Sequence, residues 1–263
     1  MQLTNFITID PAKIAGGAAI QATEADAFRQ NGLLFHNIMQ SLLTCPFLPN
    51  GVDGDVTDPV AHRFVQANIL TVANVDVTAT PKVPIVWFAR EKIIIRRTVS
   101  ATGMGAANGE TGDFGGSGGG SSAAAGNACL LPLSNAAMDG LDGGASGAAG
   151  NPLTREWAMR ALSYLSLCKG GASGGGASGG AGGGVIILCA PEIELAGPGK
   201  LEANGANAPG GSDAGGGGGG LIVLIAQRTT GLNNGVNVVA NGGLKDGGGG
   251  NGGNGLVLPL EIK

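Results

Sequence analysis

VIILCAPEIELAGPGKLEANG (185–205) and LIVLIAQRTTGLNNGVNVVANG (221–242) are two copies of one unit, and LVLPLEIK (256–263) starts a third. Val185 to Leu221 is 36 residues and Leu221 to Leu256 is 35. Each full copy reads as a strand, a turn, a second strand ending Ala-Asn-Gly, and then a glycine run. One unit cannot bury both faces of its apolar strands, but stacked neighbours can, so this period predicts a repeat architecture. IIIRRTVSATG (93–103) reads as an earlier copy, and ACLLPLS (128–134) as a strand after it.

The glycine runs are the second feature. Of 52 glycines, five lie in residues 1–100 and 47 follow. Glycine alternating with runs such as Val185–Leu188 and Leu221–Ile225 is not linker composition. Collagen needs strict Gly-X-Y and abundant proline, and neither is present. GGASGGGASGGAGGG (170–184) sorts by threes into nearly side-chain-free faces, and Asn251 and Asn254 repeat that spacing. Extended helices of three residues per turn have no internal hydrogen bonds, so they must bond laterally. Bare glycine faces permit the close approach. The expected fold class is therefore a small α+β module over 1–100, followed by a glycine-rich repeat domain over 101–263. That domain is expected as a polyglycine-II helix sandwich with short β-strands, with a β-solenoid carrying glycines at its corners as the alternative.

In the first hundred residues, 23–43 carry acidic residues at the start and an apolar face of Phe28, Leu33, Leu34, Phe35, Ile38 and Leu42, which predicts a helix stopped by Pro46. Val/Ile/Thr-rich runs at 64–72, 75–80, 83–88 and 93–99 predict strands. A second helix is expected as an insertion over 151–168, capped by Asn151 or Thr154 with Pro152 in its first turn. Its Trp157, Ala161, Tyr164, Leu165 and Cys168 share a face. That face either packs onto the domain, or Trp157 and Tyr164, with Arg155 and Arg160, form a contact patch.

Charge and motifs exclude several functions. Net charge is −4, with no basic patch, so nucleic-acid binding has no electrostatic support. No segment approaches the ~18 apolar residues of a membrane span. MQLTNFITIDPAK lacks a basic region followed by an apolar one, so no leader and synthesis in a cytoplasm are expected. Cys45, Cys129, Cys168 and Cys189 form no CxxC, which disfavours zinc; Cys129 and Cys189 lie in apolar runs and read as core filler. Asp53, Asp55 and Asp58 are either calcium ligands or solvated turn residues, and the EF-hand pattern is not met. Gly103–Gly109 has the spacing GxGxxxG, not a dinucleotide fingerprint, and Gly199-Lys200-Leu201 is not a P-loop. No histidine follows His62, so the glycine-rich part holds no Ser–His pair. No enzyme and no cofactor are expected.

A compact start leading through VPIVWFAREKIIIRRTVSATGMGAANG (83–109) into glycine runs separated by short variable segments resembles the distal tail-fibre adhesins of T-even-like phages. That resemblance implies a polyglycine-II sandwich in a virion tail or tail fibre, made in the host cytoplasm. It implies attachment to other tail or fibre proteins through residues 1–100. It also implies a bacterial surface protein or glycan as the receptor, contacted by segments between glycine runs. Here those segments supply Asn207, Asp213, Arg228, Asn233, Asn234, Lys245 and Asp246. Assembly into a homo-oligomer is compatible with this reading. The alternatives are a purely structural tail component without receptor contact and, as a minor one, an ice-binding protein presenting a flat face.

Overall fold

In a computed structural model of the chain, residues 51–61, 64–113, 115–128, 143–153, 170–210 and 213–261 are described. All of them belong to one compact unit, Pro49–Lys263. The helix expected over 23–43 lies outside the described residues, as does nearly all of the insertion over 151–168, with Trp157 and Tyr164.

Two parallel sheets dominate. The first contains β1 (Val56–Thr57), β2 (Val65–Val72), β4 (Ile85–Ile95), β6 (Val185–Cys189), β7 (Glu192–Leu195), β9 (Leu221–Ala226), β10 (Arg228–Thr230) and β12 (Leu256–Glu261). Its path runs β1-β2-β4-β6-β9-β12, and β7 joins β4 to β10. The second contains β3 (Val77–Thr78), β5 (Thr98–Ser100), β8 (Lys200–Glu202) and β11 (Val238–Val239), in the order β11-β8-β5-β3. Each repeat thus adds its strands beside those of the repeat before it. Leu221 of β9 pairs with Val185 on one side and Leu256 on the other, so the 36- and 35-residue spacings become sheet register.

The strands form because their apolar residues can be buried from two directions. On one face Ile85, Trp87, Ile93, Ile186, Leu188, Ile193, Ile222 and Leu224 pack with Val99, Leu201 and Val238 of the second sheet into one core. A bulge between Ala67 and Ile69 of β2 shifts the alternation, keeping Leu70 and Val72 inside. The opposite face of the first sheet holds a smaller cluster of Leu153, Val185, Ile187, Leu221, Val223 and Leu258. Strands buried on both faces read as continuous apolar runs, which is the pattern of VIIL and LIVLI. Burial pushes the Cys189 thiol at the end of β6 up to about 11.

This architecture corrects the expected fold class. Among the described residues there is no helix, and the parallel sheets form the framework of the unit. Nor do the Val/Ile runs before residue 100 form an α+β module of their own. β4 pairs with β6 over Ile85–Phe88 and with β7 over Lys92–Ile95, so early strands and late repeats share one sheet. The jump in glycine content near residue 100 marks no break in that sheet. Composition changes there because the glycine runs begin after β5, while the pairing of β4 with β6 and β7 carries the sheet across that change. The glycine runs are not a separate layer either: Gly184, Gly220 and Gly255 lead directly into β6, β9 and β12.

The run 215–220 shows how glycine is used. Gly215 and Gly218 donate to the carbonyls of Gly175 and Ala172, Gly216 and Gly219 to Gly250 and Gly253, and Gly217 and Gly220 to Ala206 and Ala203. Its carbonyls accept from Gly180, Gly119, Gly243, Gly183, Gly116 and Leu256 in turn. Donors return to the same neighbour every third residue, so six stretches of chain surround the run and every amide is satisfied. A Cβ on any of these six glycines would lie 1.9–2.3 Å from a backbone carbonyl oxygen.

Candidate functional site

The direction of the glycine runs places the turns. Run 116–119 bonds to 219–216 in reverse order, as 172–175 does to 218–215, whereas 180–183 and 250–253 follow 215–218 and 216–219 in the same order. Turns at 121–125, 145–148, 175–178 and 244–249, together with 207–210 and Asp213, therefore gather at one end of the runs, away from the strands that leave the other end.

Asp213 is the knot of this end. Its carbonyl accepts from Ser122 at 2.9 Å, its Oδ1 accepts from the Gly248 amide at 2.8 Å, and its own N–H donates to Asp246 Oδ2 at 3.1 Å. The Asp246 amide in turn donates to Ala214 at 3.0 Å. Asp213 has φ of 48°, a left-handed conformation that Asp tolerates better than most residues. Asn207 Oδ1 accepts from the Leu244 amide at 2.8 Å, and the Leu244 carbonyl accepts from Ala208 at 2.9 Å. Asn251 Oδ1 accepts from the Lys245 amide at 2.9 Å. Ser146 Oγ donates to the carbonyl of Ser122.

Four expected contact residues, Asn207, Asp213, Lys245 and Asp246, are thus brought together. The polar groups of three of them hold turn backbone. Leu244, 60% exposed, and the exposed Lys245 project from the same turn. Leu244 was not among the expected contacts; its signal is an apolar side chain in an otherwise polar or glycine segment.

Arg228, Asn233 and Asn234 belong elsewhere, on β10 and the turn after it. Arg228 pairs with Glu192 of β7, which also binds Lys92 of β4 at 3.0 Å; Lys92 reaches Glu194 as well. The Arg228 and Lys92 bonds hold the Glu192 carboxyl below its ordinary value, and the bonds from Glu194 and Glu192 hold Lys92 above its own. The Asn233 amide donates to Asn237 Oδ1 at 2.7 Å, Asn234 bridges to Val238, and Val236 beside them is 65% exposed.

The three aspartates weighed as calcium ligands or solvated turn residues accept backbone amides. Asp53 Oδ2 accepts from the Gln66 amide at 2.9 Å, Asp55 Oδ1 from Ile69 at 3.3 Å, and Asp58 Oδ1 from Ala73 at 2.6 Å and Asn74 at 3.0 Å. They fasten the 53–58 segment, which carries β1, along β2. Burial works to raise the Asp58 carboxyl, but the amides of Asn74 and Ala73 outweigh it and hold it below its ordinary value. Among the described residues no group of three or more His, Cys, Asp or Glu is arranged to hold a metal ion.

No protein family model matches this chain, and neither does any curated protein or solved structure.

Proposed function

We propose that the protein is a phage virion tail or tail-fibre component that attaches through residues 1–100 and uses the gathered turns to bind a bacterial surface protein or glycan. The observation that carries this reading is the convergence of four turns, with 207–210 and Asp213, on one end of laterally bonded glycine runs. Such an end is a preorganised binding surface: its backbone loses little freedom on binding, so weak contacts are not spent on ordering loops. Side chains between runs can change without disturbing the amides that hold the runs. Binding is non-catalytic, and several copies on one particle multiply a modest affinity. The test is binding of labelled protein to host cells and to mutants lacking individual outer-membrane proteins or surface glycans. Loss with one mutant is expected; equal binding to all of them sinks the reading.

A second reading, a structural tail component without receptor contact, is favoured by one observation. Asn207, Asp213 and Asp246 are engaged with neighbouring amides, and the 122–125 and 145–149 turns offer only Ser, Ala and Gly. Burial of those turns against other tail proteins in the assembled particle would select it.

A further inference from the structure

Six Asn-Gly pairs lie in the described residues, at 108–109, 204–205, 234–235, 241–242, 251–252 and 254–255. Asn-Gly is a pair at which a chain can modify itself. The glycine nitrogen, once hydroxide has taken its proton, attacks the asparagine Cγ, which the chain itself holds close. Glycine has no side chain to shield that nitrogen. The fold decides which pairs are free to react. Five of the six glycine amides are committed. Gly205 donates to the carbonyl of Asn241 at 2.8 Å, Gly235 to Val238 at 3.0 Å, Gly252 to Gly243 at 2.9 Å and Gly255 to Ala240 at 2.7 Å, and Gly242 donates to Asn254 Oδ1 at 2.9 Å. A donated amide is a poor nucleophile, because its anion would face a carbonyl oxygen. Gly205, Gly242, Gly252 and Gly255 are also closely packed: a Cβ on any of them would lie 1.8–2.0 Å from a backbone carbonyl oxygen. The side chains of Asn204, Asn251 and Asn254 are fixed as well, each accepting a backbone amide through Oδ1.

Gly109 is the exception. Its amide has no acceptor among the described residues, it is exposed, and nothing lies within 4 Å of a Cβ built on it. Asn108 and Gly109 form the middle of a turn closed by the Glu110 amide on the Ala107 carbonyl at 2.9 Å, with φ of 82° at Gly109. The exposed Asn108 side chain donates through Nδ2 to the carbonyl of Ala177. That bond ties the 107–110 turn to the 175–178 turn. Glu110 braces the first of these turns: its Oε2 accepts from the Ala107 amide at 3.1 Å, and its Oε1 binds Lys82 at 2.7 Å.

We infer that Asn108-Gly109 is a self-modification site, and that its conversion unties these two turns. The Gly109 nitrogen bonds to Asn108 Cγ as the Cγ–Nδ2 bond breaks, and the side-chain nitrogen leaves as ammonia, carrying a proton in place of the one Gly109 lost. Water then opens the cyclic imide. Opening at Cγ gives aspartate, and opening at the backbone carbonyl gives isoaspartate, in which the chain runs through the former side chain. Both products lack the Nδ2 donor that holds Ala177, and both add a negative charge two residues from Glu110. Isoaspartate also lengthens the backbone between Ala107 and Glu110, the span that the turn bond closes. This inference does not depend on the receptor-binding reading.

The test uses the full chain, incubated folded in mildly acidic and in alkaline buffer, and in parallel unfolded in alkaline urea. Peptide mapping with electron-transfer fragmentation follows each pair and tells isoaspartate from aspartate. In urea the six pairs should convert at similar rates, because each is the same dipeptide. In the folded protein Asn108 should stay within about fivefold of its urea rate, since one exposed hydrogen bond stands in the way. Asn204, Asn241, Asn251 and Asn254 should slow at least about a hundredfold, because bonds and packing must open there together. Asn234 should fall between. Asn108 slowed as much as those four, or overtaken by Asn234, overturns the inference. So does a rate at Asn108 that fails to rise with alkalinity, as ionisation of the Gly109 amide requires. Asn108→Asp installs one product directly and should melt about 2–4 °C below wild type, for the lost bond to Ala177. Unchanged melting of that variant would mean that conversion does not untie the turns, and would overturn the inference as well.

Discussion

The Asp213 amide donates to the Asp246 carboxylate across 33 residues of sequence, and Asp213 returns a carboxylate bond to the Gly248 amide two residues past its partner. This reciprocal clasp ties the start of the 213–220 stretch to the 244–249 turn. It is the polar counterpart, at the turn end, of the lateral glycine bonds below it.

Asp213→Ala removes the acceptor for Gly248 and places a Cβ-bearing residue with no local hydrogen bond at positive φ. Each loss is about 1 kcal/mol, so melting should fall by roughly 4–8 °C. Asp213→Gly restores the backbone preference but not the bond, and should lose about half as much. Calorimetry that finds the two variants equally impaired would remove the conformational part of this account.

Gly218→Ala puts a Cβ 1.9 Å from the Gly116 carbonyl oxygen, where only backbone can move aside. The cost should be at least about 3 kcal/mol, in the range of severe overpacking. Gly210→Ala is the control: nothing lies within 4 Å of its Cβ, and the change should fall within about 0.5 kcal/mol of wild type. Chemical denaturation of the two variants separates a glycine required by contact from a glycine of mere composition.

The same contrast explains what could be read in the sequence. The repeat was legible because Val185, Leu221 and Leu256 begin similar apolar runs at nearly constant spacing, and that spacing became register. The threefold use of the runs was legible in 170–184 because small side chains fall at spacings that leave whole faces bare. The pairing of β4 with β6 and β7 was not, because nothing in Ile85–Ile95 distinguishes a strand closing a local module from one awaiting a partner about a hundred residues later. Asp53, Asp55 and Asp58 left two readings open because closely spaced acids suit both a cation and the backbone amides of a turn, and here they accept amides of β2 and of the residues just after it. The described contact residues divide between two places for a related reason. Asn and Asp occur between glycine runs to satisfy turn amides, as Asn207 and Asp213 do, so polarity alone does not mark a binding surface.

Asp58 makes the junction between β1 and the end of β2 pH-sensitive. Its folded carboxyl lies below the ordinary value, so it contributes stability that is fully present above about pH 4 and is lost as pH falls through the folded value. Asn keeps a side-chain carbonyl, tolerates the φ of 52° and does not titrate. Asp58→Asn should therefore cost more stability at neutral pH than in acid, flattening the acid limb of the stability curve. An unchanged difference between pH 7 and pH 3 in urea denaturation would assign acid sensitivity to other carboxylates.

Leu244 and Lys245 test the turn end as a binding surface. The Leu244 side chain is 60% exposed, and the hydrogen bonds in this turn come from backbone amides and carbonyls that a side-chain change leaves in place. Leu244→Asp with Lys245→Glu should therefore leave melting within about 2 °C of wild type, as surface changes do. If the turn end meets a bacterial surface, the same variant should bind host cells at least about tenfold more weakly, since it removes an apolar anchor and inverts a charge. Undiminished cell binding would move the contact away from this turn. Undiminished binding together with loss of incorporation into particles would place the turn against other tail proteins, as the structural reading requires.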